Sequence, residues 1–368
     1  MTGIYIHIPF CNSKCPYCDF YSFKADENQK DSYLKAVLHC LEEYKDKITD
    51  TVDTVYFGGG TPSVFGGERI SEIINHIKEN YSLCDNAEIT VECNPSSVTG
   101  EFVHRIKNAG VNRISMGMQS AVATERLALG RQSGTDKISR CISLLKNEGI
   151  DNISLDLMLG IPYQTAESLV KSIDFCSSLG VQHISSYMLK IEEGTPLSKS
   201  ELRFLCADEE KVSDFYLLAC EELEKRGFVQ YEISNFAKDG KISFHNTRYW
   251  LDDEYIGIGP SAHSFMEGRR FFFDRSIKDF LEKPFEEIER EESSGGGWEE
   301  FAMLRLRLKK GLALAELSEK FPEVDTKEIF ENAKPFEKPG LLKIEGNVIS
   351  FTPKGFLLSN ALTAEILY

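Results

Sequence analysis

The chain has 368 residues, 42% hydrophobic and 27% charged, room for one large globular domain with a smaller one beside it. Its formal net charge of −16 at pH 7 argues against a nucleic-acid partner held through its phosphates and against an anionic membrane surface. No run of about 18 apolar residues offers a transmembrane helix, and the N-terminus lacks the segments of a secretion signal; with ten cysteines, a reducing, cytoplasmic setting is expected.

The first apolar run, Ile4-Tyr5-Ile6-His7-Ile8-Pro9-Phe10, predicts a buried strand ended by Pro9. Cys11-Asn12-Ser13-Lys14-Cys15-Pro16-Tyr17-Cys18 follows directly, so three thiols share one loop at the carboxyl end of a strand. They are too close for ordinary core cysteines and odd in number for disulfides. Thiolates are the usual ligands of iron–sulfur clusters, and three of them leave one iron of a four-iron cluster open. Structural zinc is the rival, although it takes four ligands and no fourth lies nearby. The other seven cysteines (Cys40, Cys84, Cys93, Cys141, Cys176, Cys206, Cys220) read as small buried hydrophobes.

Strand-like and helical stretches then alternate. Strands are predicted at 4–8, 54–57, 88–93, 113–118, 153–159 and 183–189, with helices near 28–47, 68–80, 100–108, 135–148, 166–179 and 208–226. Such alternation predicts a parallel sheet, and six units predict an α/β fold built on a partial TIM-like (β/α)6 barrel. The strand ends deliver the cysteine loop, Gly58-Gly59-Gly60-Thr61, Glu92-Cys93-Asn94, Gln119-Ser120, Asp156 and Lys190. On a parallel barrel those ends converge on one face, where active sites are built.

The second half is less regular. A strand is expected at 228–233, then the segment His245-Asn246-Thr247-Arg248-Tyr249-Trp250 and a glycine-rich run from Ile256 to Ser264. Residues 286–297 (EEIEREESSGGG) have the composition of a flexible linker. Helices at 298–309, 314–321 and 327–333, a hairpin turning at Gly346-Asn347, and a helix over 353–367 predict a small α+β, winged-helix-like module. Its acidic surroundings speak against DNA binding. The expected organisation is a barrel over 1–235, a connecting region over 236–290 and a C-terminal domain over 298–368.

The Cys-x3-Cys-x2-Cys spacing, the Gly-Gly-Gly-Thr-Pro loop, Gly117-Met118-Gln119-Ser120, Asp156 through Pro162 and His245-Asn246-x-x-Tyr249-Trp250 together resemble the radical S-adenosylmethionine (SAM) family. Within it the chain is similar to the oxygen-independent coproporphyrinogen oxidase-like subgroup and its heme-chaperone branch, over nearly its whole length. The resemblance implies a radical SAM barrel in which Cys11, Cys15 and Cys18 hold a [4Fe–4S] cluster and SAM chelates the open iron. Electron transfer to SAM in that family yields a 5′-deoxyadenosyl radical, with the protein supplying position and exclusion of water.

It further implies that Tyr5, Gly59, Gly60, Thr61, Glu92, Gln119, Arg131 and Asp156 contact SAM, with Tyr17 near the adenine. The residue types suit this: glycines admit close backbone approach, carboxylates accept from hydroxyl or ammonium groups, and Arg131 can fork onto a carboxylate. Each also has a plainer reading, as a tight turn, a structural carboxylate or a solvated arginine. His245, beside Phe244, Tyr249 and Trp250, is the candidate heme ligand or else a hydrogen-bonded buttress of the barrel. His263 and His7 are poorer candidates.

Two departures separate the chain from porphyrinogen-oxidising members. Those enzymes carry a further cysteine where this chain has Phe20, and an extended region ahead of the first strand. The expected function is binding of heme and its delivery to an acceptor protein, itself membrane-associated, with an electron donor and a homodimeric partner. The alternative is an oxygen-independent coproporphyrinogen III dehydrogenase or another radical SAM oxidoreductase.

Overall fold

The computed structural model describes residues 1–283 and 295–368; most of the expected linker at 286–297 lies outside the described residues. All six predicted strands form: β1 (Thr2–Ile8), β2 (Val52–Gly59), β3 (Leu83–Cys93), β4 (Arg113–Gln119), β5 (Asn152–Leu159) and β6 (His183–Met188). They pair in parallel in chain order. Helices lie between them, including Glu27–Tyr44, Gly67–Asn80, Gly100–Ala109, Thr135–Asn147 and Ala166–Ser178. Their starts follow local chemistry. Asp26 and Thr165 close capping boxes, and Thr99 accepts from the Phe102 N–H.

Two features depart from the expectation. Of the strand expected at 228–233 only β7 (Val229–Gln230) forms, and a separate strand beyond it, β8 (Asn235–Ala237), runs antiparallel to both β7 and β6. The glycine-rich run contains a strand, β9 (Tyr255–Ile258), that pairs in parallel with β1 on its free side. Its glycine answers to packing: a Cβ on Gly257 would lie 2.2 Å from the His263 carbonyl oxygen. Antiparallel β10 (His263–Met266) and β11 (Arg269–Phe272) finish that edge. The sheet has eleven strands in the order β11-β10-β9-β1-β2-β3-β4-β5-β6-β8-β7.

The C-terminal part carries β12 (Leu312–Ala313), β13 (Leu342–Glu345) and β14 (Val348–Phe351) in the antiparallel order β12-β14-β13. Short helices surround them, and the expected final helix is broken at Leu358 into Pro353–Leu357 and Ser359–Leu367. This part is joined to the barrel through backbone bonds from Ile233 N to Arg307 O (3.1 Å) and Lys309 N to Tyr231 O (2.9 Å). One hydrophobic cluster runs through both.

Alternation along the strands gives the sheet two unlike faces. Ile4, Ile6, Ile8, Val55, Phe57, Ile89, Val91, Ile114, Met116, Ile153 and Leu155 are buried in the apolar cluster with residues of the surrounding helices. The alternate positions are Tyr5, His7, Thr54, Tyr56, Glu88, Glu92, Arg113, Ser115, Ser154, Asp156, His183 and Ser185. The interior of the arc is therefore polar, where barrels of this type usually carry branched apolar side chains.

Candidate functional site

A cavity of about 530 Å³ lies at the carboxyl ends of β1–β6. The cysteine loop forms its rim. The loop is pinned at its base by Cys11 N–H to Phe23 O and Phe23 N–H to Pro9 O, both 2.9 Å. Phe10 meets Phe23 edge-on at 5.6 Å and also packs on Tyr33 and Phe65. A tight turn from Cys18 N–H to Cys15 O (3.1 Å) gathers the second and third cysteines. All three are free thiols, partly exposed, and all three line the cavity. Burial raises the Cys18 pKa, with the neighbouring cysteines adding to it. Among the described residues no three His, Cys, Asp or Glu side chains converge as ligands of a single metal ion do. Three sulfur donors on one loop suit a cluster better than one hard cation.

The loop after β2 lies against β1. Gly60 N–H donates to Ile8 O and Thr61 N–H to Phe10 O, both at 2.8 Å, and Thr61 Oγ1 is 3.2 Å from Cys11 Sγ. Gly59 has φ +104°, and a Cβ there would sit 2.5 Å from the His7 ring. A Cβ on Gly60 would meet Ile8 O at 2.8 Å. The protein's own backbone thus demands these glycines before any ligand does. His7 in turn ties the strand to the cysteine loop, through Nε2 to Tyr21 O at 3.1 Å.

Two acids face the cavity. Tyr56 OH donates to Glu92 Oε1 (2.8 Å) and Gly59 N–H to Oε2 (3.2 Å). Burial pushes the Glu92 carboxyl up to about 7; the Tyr56 bond opposes this and Asp156 adds to it. Burial also raises Asp156, against hydroxyl donors from Ser185 and Ser115, the latter at 3.3 Å. Gln119 ends β4 at a register shift and sits at φ 71°, unusual for a residue with a side chain. Its Oε1 is buried with no hydrogen-bond partner, a position suited to accepting from a ligand. Arg131 is partly buried and donates from Nε (3.2 Å) and Nη2 (2.8 Å) to Tyr17 OH.

Tyr17, Gly59, Gly60, Thr61, Glu92, Gln119, Arg131 and Asp156 all line this one cavity with the three cysteines. Tyr5 is not part of its wall: its hydroxyl bonds His7 Nδ1 at 3.2 Å, and its ring stacks on Tyr56 and His245. His245 also lies apart. It is fully buried at the amino end of the helix Phe244–Leu251, with Nδ1 bonded to Thr54 Oγ1 and Nε2 to Tyr249 OH, both at 2.9 Å. Burial, then Arg248 and Arg113, lowers its pKa to about 3. Both ring nitrogens are engaged, the bonding expected of a buttress.

Several wall residues were given no site role by the sequence reading, including Tyr56, Arg113, Ser115, Ser185 and Asn246. Arg113 is 1% exposed, with Nε 3.9 Å from Glu88 Oε2 and no hydrogen-bond partner for Nε or Nη1. The signal that finds Arg113 and Ser115 is parity: they share with Gly117 one face of β4.

Residues 5–176 match the family model of the Radical SAM superfamily, and residues 297–358 that of the HemN C-terminal domain. The chain is 32% identical to the heme chaperone HemW of Mycobacterium tuberculosis, over 99% of this chain and 94% of that protein. It is 32% identical to HemW of Bacillus subtilis, over 100% and 99%. With HemW of Escherichia coli the figure is 34%, over 83% and 82%. The structure superposes on the radical SAM enzyme coproporphyrinogen III oxidase (HemN) of Escherichia coli with a TM-score of 0.84 at 18% identity, covering 100% of this chain and 90% of that one. That likeness speaks to the fold, a mixed α/β radical SAM architecture with a small C-terminal domain.

Proposed function

Because the chain belongs to the radical SAM superfamily, in one family with the HemW heme chaperones, we propose that it is a heme carrier that retains a [4Fe–4S]–SAM unit. The observation that carries this reading is similarity from end to end to curated heme chaperones, C-terminal domain included. The donor set of the cavity supports the cofactor part. Cys11, Cys15 and Cys18 would hold the cluster and leave one iron for SAM. When bound, that unit supplies one-electron chemistry.

The chain's own residues have positional and electrostatic tasks. Glu92 and Asp156 offer acceptors to hydroxyl or ammonium groups, and Gln119 Oε1 offers another. A cationic ligand favours the ionised form of Glu92 and draws its pKa down from about 7. Arg131 keeps Tyr17 in place over the site. Gly59 and Gly60 let the loop close on β1 so that Thr61 reaches Cys11. Among the described residues no helix is long and apolar enough to cross a membrane. The proposal includes a cytoplasmic setting, an electron donor, a membrane-associated acceptor and a homodimeric form.

Anaerobic reconstitution followed by heme titration tests the reading. About four irons per chain, SAM binding and a Soret band on adding heme are expected. Absence of the Soret band sinks the carrier assignment. A second reading, a radical enzyme acting on coproporphyrinogen III or another substrate, is favoured by the intact polar cavity. Release of 5′-deoxyadenosine coupled to oxidation of that substrate would establish it; SAM bound without turnover would dismiss it.

A further inference from the structure

The wall of the cavity changes character at its mouth. Phe20, on the cysteine loop, lines the cavity and is 67% exposed. At the other end of the six-strand run, β6 passes from buried to exposed at Tyr187 and Met188, 40% and 39% exposed. Tyr187 and Leu189 line the cavity, and Ile191 beyond them is 37% exposed. The segment after β6 returns to the cysteine loop, where Leu197 N–H donates to Pro16 O at 2.8 Å. The two ends of the arc thus share one rim, and that rim presents large apolar side chains to water.

The rim's charges do not share the acidic bias of the chain. Lys14 and Lys190 line the mouth with Asp19 and Glu192. Asp19 is met by Arg275 at 3.7 Å and Glu192 by Lys190 at 2.7 Å. At the mouth two cations (Lys14, Lys190) balance two acids (Asp19, Glu192), and Arg275 outside the wall also meets Asp19, in a protein whose formal charge is −16.

We propose that this rim is where heme docks, with the macrocycle across the cavity mouth against Phe20, Tyr187 and Leu189 and its carboxylates toward Lys14 and Lys190. The proposal rests on the heme-carrier reading and adds the location. A flat apolar disc with two carboxylates at one edge needs apolar walls beside cations, and the rim offers both. Heme so placed covers the cavity, so bound SAM cannot leave before heme does.

The test uses the full chain, reconstituted and SAM-loaded, titrated with hemin and followed by the Soret band. Phe20→Ser/Tyr187→Ser is compared with Val229→Ser/Leu358→Ser, whose side chains are 66% and 50% exposed and do not line the cavity. The rim variant should bind heme about tenfold more weakly, and the control should bind as the wild type does. Lys14→Glu/Lys190→Glu should weaken binding and flatten its dependence on salt. Heme should slow SAM release from the wild type at least about tenfold, an effect that should need about tenfold more heme in the rim variant. Iron content and circular dichroism confirm that each variant is folded and loaded. If the wild type binds heme and the rim variant binds it as tightly, or SAM release is indifferent to heme, the rim assignment is overturned and the carrier reading stands. If the wild type shows no Soret band, both fall.

Discussion

The two faces of the parallel sheet share the same strands and have opposite chemistry. On β2, Val55 and Phe57 are buried in the apolar cluster, while Thr54 and Tyr56 point the other way and make hydrogen bonds to His245 and Glu92. On β4, Ile114 and Met116 oppose Arg113 and Ser115. Burial of the outer row against the helices supplies the apolar stabilisation, about 1.5–3 kcal/mol per large side chain. The inner row holds buried acids and an arginine, groups that cost free energy to desolvate. One face therefore holds the fold together while the other carries a strained, polar site, and a one-residue slip of any strand would exchange the two roles.

Substitutions can break that division or sharpen it. The largest expected effect is on the outer face: Phe57→Ala, at a fully buried site, should cost about 4 kcal/mol in denaturant unfolding of the apo chain. A loss under about 1 kcal/mol would mean that the outer layer does not carry the stability. Gly59→Ala comes next, at about 3 kcal/mol, because the added carbon meets the His7 ring at φ +104°. Calorimetry of the variant, with and without His7→Ala to relieve the clash, checks it.

The third effect depends on pH. Glu92 has its pKa raised from 4.5 to about 7, so the folded state binds more protons than the unfolded one in that window. Stability should therefore fall as pH rises from roughly 4.5 to 7, on the order of 1 kcal/mol once solvent in the cavity is allowed for. Glu232 is raised to about 7 as well, so the share of Glu92 is the difference between wild type and Glu92→Gln. SAM affinity should weaken as pH drops below 7 in the wild type and be flat in Glu92→Gln. The smallest stability effect is expected at the rim: Cys15→Ser, at a partly exposed thiol, should change unfolding of the apo chain by less than about 0.5 kcal/mol while iron incorporation is lost.

Much of this was legible in the sequence because it is local. Alternation over β1–β6, the three-thiol loop and the Gly346-Asn347 hairpin each announce themselves within a dozen residues. What was missed depends on distant partners. β9 reads as a glycine-rich loop, since its one glycine, Gly257, is set by contact with His263 and its strand character by pairing with β1. The early end of the strand expected at 228–233 goes with antiparallel pairing of β7 to β8 and of β8 to β6. Arg131 looks like any surface arginine until Tyr17, far off in sequence, accepts its two bonds. For His245, both readings fit the aromatic surroundings, and only Thr54 and Tyr249 decide which nitrogens are available.

The pairing of β1 with β9 has a consequence for biosynthesis. Gly3 meets Tyr255 across that ladder, so β1 waits roughly 250 residues for one of its neighbours, on the order of tens of seconds at ribosomal speed. Until then β1 keeps an unpaired edge, an invitation to intermolecular pairing, and the cysteine loop hangs from an unfinished sheet. The nascent chain is thus most vulnerable to aggregation and to thiol oxidation just where the finished protein concentrates its chemistry.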